Sequence, residues 1–90
     1  MQYNYKVVAK LKNDLPDDEK KNAIDQIQDL QEKLKIVKID EVTYCKQAPI
    51  QQYDDFGAVT LFFCALEDIK EYFETLVYYN LWEERKSVAV

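Results

Sequence analysis

Histidine is absent from the 90 residues, and glycine and arginine occur once each, proline and cysteine twice. Without histidine there is no imidazole acid–base chemistry, no Ser–His or Cys–His nucleophile and no ordinary transition-metal site. The single glycine, Gly57, excludes the Walker phosphate loop and the dinucleotide fingerprint, which both need several. Cys45 and Cys64 are too few for a disulfide framework and, with no histidine, make a poor zinc set. Both fall in strand-like runs and read as buried free thiols, a single cross-strand disulfide being the alternative. No apolar run approaches the roughly 18 residues of a membrane span. Met1–Lys10 alternates and carries charge where a signal peptide would be apolar, so the cytoplasm is the expected address.

What is present suits a small folded domain. Hydrophobic residues make up 48% of the chain and aromatics 13%, enough to pack a core. Residues 1–90 fit one α+β domain and leave no room for two. Scarce glycine and proline imply long elements with short connections. Twelve basic residues face seventeen acidic ones, and the net charge of −5 disfavours binding that depends on dense phosphate neutralisation. A charge of this size also keeps a small domain in solution.

Tyr3, Tyr5, Val7, Ala9 and Leu11 alternate with polar residues, the period of a half-buried strand. Pro16 suits the first turn of a helix, with Asp14 as its cap and Asp17, Asp18 and Glu19 favouring the helix dipole. That helix is expected from about Pro16 to Lys35, with Ala23, Ile24, Ile27, Leu30 and Leu34 as its inner stripe. Ile36 to about Gln47 reads as a second strand whose change of phase suggests a bulge near Asp40-Glu41. Pro49 interrupts it, and Tyr53–Gly57 reads as a turn. Ala58–Leu66 is apolar on both sides, as in a central third strand. Glu67-Asp68 then opens a second helix with Ile69, Tyr72, Phe73, Leu76 and Val77 inward, and Ser87–Val90 offers a last short strand. The order β-α-β-β-α(-β), with right-handed crossovers, predicts a ferredoxin-like antiparallel sheet with two helices on one face.

No residue set proposes a reaction, and no catalytic group, cofactor or metal is expected. Asp54-Asp55, the most exposed carboxylate pair, sits at the tip of the expected hairpin and reads as turn chemistry. The candidate residues are therefore for binding. Asp18, Asp25, Asp29 and Glu32 recur on one side of the first helix, and Glu67, Glu71 and Glu74 form a shorter row on the expected second. Such rows are either solvated faces or a surface matched to a basic protein, with spacing that imitates phosphates. Tyr79 and Trp82 share a face near the chain end and suit either a contact patch or core packing. On the open face of the sheet, Lys6 and Lys10 are expected beside Phe62, an arrangement used for RNA, although a dimer contact fits there too.

Tyr5 with its alternating strand, Pro49-Ile50, Gly57 and the closing Arg85-Lys86-Ser87-Val88 resemble landmarks of the family of the bacterial small-subunit ribosomal protein numbered six. That resemblance implies the same β-α-β-β-α-β order in a chain of about this length. Cys45-Lys46-Gln47 stands where that family carries paired arginines, so the resemblance bears on topology more than on RNA. The sequence is thus expected to encode a non-enzymatic protein acting by protein–protein contact, an inhibitor or adaptor of the kind phages and mobile elements encode. A ribosome-like or RNA-associated component using the open sheet face and a ligand-sensing regulatory homodimer are the alternatives.

Overall fold

The computed structural model describes residues 5–46, 56–80 and 84–88. Strand β1 spans Lys6–Leu11, helix α1 Asp17–Leu34, strand β2 Ile36–Lys38, strand β3 Thr43–Lys46, helix α2 Phe56–Glu67, strand β4 Phe73–Tyr79 and strand β5 Glu84–Val88, with a 3₁₀ turn at Lys70–Tyr72. The five strands form an antiparallel sheet in the order β2-β3-β1-β4-β5. The first four are ordered as in a ferredoxin-like sandwich, and β5 extends the sheet beyond β4. Val7 and Ala9 of β1, Ile27 of α1 and Val59, Phe62, Phe63 and Leu66 of α2 belong to one buried cluster. Both helices therefore pack on the same face of the sheet.

The expected α+β class and helix layer hold, but the second half of the chain is assigned differently. Ala58–Leu66 is not a central strand: it lies within α2, whose Ala58, Val59, Phe62, Phe63 and Leu66 are buried while Leu61 and Cys64 are exposed. An apolar run hides which period it follows, and here the helical one wins because steps of three and four gather the largest side chains on one stripe.

Phe73–Tyr79, expected in a second helix, is β4. The register between β1 and β4 slips between Lys10 and Leu11, so that Lys10 faces Thr75 and Leu11 faces Phe73. The extra residue, Glu74, puts Phe73 and Leu76 on the same side although they are three apart. A bulge thus imitates a helical step. Thr75, Val77, Tyr78 and Tyr79 are strand formers, in keeping with the observed element.

The bulge expected near Asp40-Glu41 is instead a hairpin turn between β2 and β3. Asp40 Oδ1 accepts hydrogen bonds from the backbone N–H of Val42 (2.9 Å) and Thr43 (2.8 Å), and Ile39 N–H donates to Thr43 O (2.9 Å). This Asx geometry closes the loop where glycine would otherwise serve. The Val42 N–H first, and then Thr43, hold the Asp40 carboxyl below its ordinary pKa.

Helix α1 keeps its expected limits, but Asp14 does not cap it. Pro16 is the N-cap residue, its carbonyl accepting from Lys20 N–H (2.9 Å), with no side-chain cap bond. At the other end Lys35 takes left-handed backbone angles (φ 58°, ψ 46°) and its N–H donates to Gln31 O, while Lys46 Nζ donates to Leu34 O (3.0 Å). Ala23 and Ile27 are buried and Leu30 and Leu34 half-buried, as the stripe predicts, but Ile24 remains 36% exposed.

Cys45 is a buried thiol, as expected; Cys64 is also a thiol but exposed, because it sits on the outer side of α2. A chromogenic disulfide reagent added to the native chain should release one equivalent quickly, from Cys64, and the second only in denaturant. Two fast equivalents would place Cys45 at the surface.

Candidate functional site

The sequence points to two surfaces: the outer side of the helix layer and the open side of the sheet. On α1, residues advance by about 100° each, which brings Asp18, Asp25, Asp29 and Glu32 within about 60° of one another, opposite Ala23 and Ile27. All four carboxylates are exposed, along roughly 21 Å of helix. Lys21 Nζ lies 3.3 Å from Asp25 Oδ2 and Lys33 Nζ 3.0 Å from Asp29 Oδ2. These exposed i,i+4 pairs are each worth about 0.3–0.5 kcal/mol. Among the described residues, Asp18 and Glu32 have no such partner. The helix carries six carboxylates against three lysines, so its outer face remains acidic.

The second acidic row is not the face of one helix. Glu67 ends α2, Glu71 lies in the 3₁₀ turn and Glu74 is the bulge residue of β4, whose Oε2 lies 3.1 Å from Lys10 Nζ. The helical spacing that joined them belonged to a helix that is not there. What α2 presents outward is Gly57, Leu61 and Cys64, with Leu61 60% exposed. The helix layer is therefore acidic along α1 and apolar along α2. The signal for this was in the sequence: α2 has no charged residue before Glu67.

On the sheet, Val7 and Ala9 point to the helices, so Lys6, Val8 and Lys10 point away, as expected. Phe62 does not join them, being fully buried on the inner side of α2. Tyr79 takes that place instead. It pairs with Lys6 across β1 and β4, and Lys6 Nζ lies 5.2 Å from its ring centroid. This pair was invisible in the sequence while Tyr79 was assigned to a helix. Lys86 of β5 lies 4.0 Å from Glu84, and Lys10 has Glu74, so the positive charge of this face is partly compensated.

Trp82 and Asp54-Asp55 lie outside the described residues. Among the described residues, no group of three or more Cys, Asp or Glu side chains is arranged to hold a metal ion, and no helix is long and apolar enough to cross a membrane. Comparison with protein families, curated proteins and solved structures returns no significant match.

Proposed function

We propose that this chain acts without catalysis, as a protein-binding module whose contact surface is the outer face of α1 and whose partner presents a basic surface there. The observation that supports this reading is the gathering of Asp18, Asp25, Asp29 and Glu32 on one exposed side of one helix, two of them without a lysine to neutralise them. A fixed row of negative charge raises the encounter rate with a cationic surface and fixes its orientation. The exposed Leu61 on the adjoining helix adds apolar area beside the row. An inhibitor or adaptor role fits a module of this kind.

The test uses Asp18→Lys combined with Glu32→Lys, which reverses the two unpartnered charges and leaves both i,i+4 pairs in place. Proteins captured by the tagged wild-type chain are identified by mass spectrometry, and their association is followed at several salt concentrations. The double variant should fold normally and associate about tenfold more slowly, with a shallower salt dependence. Unchanged kinetics would return the row to an ordinary solvated face. The second reading, RNA contact through the open sheet face, draws on Lys6 over Tyr79. A capture lost on nuclease treatment would favour it over the first.

A further inference from the structure

A cleft of about 230 Å³ lies between α1 and the β2–β3 side of the sheet, lined by Leu11, Ile24, Ile27, Gln28, Gln31, Lys38 and Tyr44. Its chemistry is divided. Leu11, Ile24 and Ile27 supply an apolar wall, and Ile24 is the one residue of the inner stripe left largely exposed. Gln28, Gln31, Lys38 and Tyr44 supply polar atoms. Gln31 Nε2 donates to Ile36 O (3.4 Å), and among the described residues its side-chain oxygen and the Gln28 amide have no partner.

Two of these residues are unusual for a surface dimple. Tyr44 is 5% exposed as a whole residue and lines the cleft, and its hydroxyl makes no hydrogen bond to the described residues, so its donor is available there. Its ring is fixed from the other side by Phe62, with centroids 5.2 Å apart, and burial pushes its pKa up, so it stays a neutral donor. Lys38 stands at the same cleft with its Nζ 5.7 Å from the centroid of the Tyr44 ring, and among the described residues it has no carboxylate within ion-pair distance. A cation and an available O–H donor therefore meet beside an apolar wall.

We propose that this cleft binds a small organic anion: a carboxylate carried on a short aromatic or branched apolar body. The carboxylate would take Lys38 as its counter-ion and the Tyr44 hydroxyl as a hydrogen-bond donor, with the Gln28 amide at the rim, and the apolar body would lie on Leu11, Ile24 and Ile27. The volume falls below the roughly 300 Å³ at which drug-sized pockets begin, so the ligand is small. The charge selects an anion over a neutral body of the same shape, since Lys38 is the only charged residue of the lining among the described residues. This site is on the inner side of α1, separate from its acidic outer face, and does not depend on what binds there.

Benzoate and its neutral counterpart benzyl alcohol are the probes, titrated into the isotope-labelled full chain and followed by amide NMR shifts. Benzoate should produce saturable shifts at Ile24, Gln28, Lys38 and Tyr44, and bind at least tenfold more tightly than benzyl alcohol. Lys38→Met, a change at an exposed position, should remove that preference, so that benzoate binds no more tightly than benzyl alcohol. Tyr44→Phe should weaken benzoate several-fold and retain the fold. Shifts that do not saturate or that fall elsewhere, equal binding of the two probes, or a Lys38→Met variant that still prefers benzoate would each overturn the proposal.

Discussion

Phe62→Ala should cost about 3–5 kcal/mol of stability in urea unfolding, whereas Leu61→Ala, one residue earlier, should change it by no more than about 0.5 kcal/mol. Phe62 is fully buried and its ring meets Tyr44, while Leu61 is 60% exposed on the far side of α2. The contrast depends on the helical period. In a strand, Phe62 and Leu61 would face opposite sides of the sheet, with Leu61 and Phe63 turned to the core and Phe62 to solvent. The larger loss would then move to Leu61. Measuring both variants together reads the element type from stability alone, and a Leu61→Ala cost that equals or exceeds that of Phe62→Ala would refute α2 as described.

Tyr78→Ala is expected to cost a similar 3–5 kcal/mol, and Tyr78→Phe only about 0.5–1.5 kcal/mol. The difference separates ring from hydroxyl. The ring is buried beside Phe63, with centroids 5.3 Å apart, and the hydroxyl lies 2.9 Å from Thr60 Oγ1 on α2. Tyr78 thus joins β4 to α2 by packing and by one polar contact. Thr60→Val combined with Tyr78→Phe should recover much of the single Tyr78→Phe loss, because removing both partners leaves no unmet group. Tyr79→Ala, by contrast, gives up its half-buried ring and its contact with Lys6, and should cost about 1 kcal/mol. Equal losses at Tyr78 and Tyr79 would argue against alternation along β4.

The first half of the molecule was legible because each element carries a single clear period. β1 alternates with polar residues on one side, and α1 repeats its apolar residues at three- and four-residue steps. The second half misled for reasons that can be named. α2 is apolar enough that a central strand and a buried helix look alike over Ala58–Leu66. β4 has a bulge at Glu74 that shifts Leu76 by one place, and a 3₁₀ turn at Lys70–Tyr72 precedes it, so Ile69, Phe73 and Leu76 suggest a helix. The β2–β3 turn resembles a bulge in the sequence because it is closed by an aspartate side chain instead of a glycine. The topology emerged intact because exchanging the types of neighbouring segments left the sequence of strands and helices compatible with one sandwich. For the candidate surfaces, the α1 row was readable since its period was right. The Lys6–Tyr79 pair and the Tyr44 cleft depend on register across strands, which composition and spacing do not encode.

The strands at the two ends of the sheet differ from those inside it. β2 is only three residues long, and β5 begins with Glu84, Arg85 and Lys86. A free strand edge is a template on which another chain can add, and a stub of three residues or a run of charge makes a poor template. These ends act as stoppers against fibre growth and edge-to-edge fusion, guarding a sheet whose inner strands are rich in valine and tyrosine. Two copies of this chain would therefore meet through faces and not by continuing one sheet into the next.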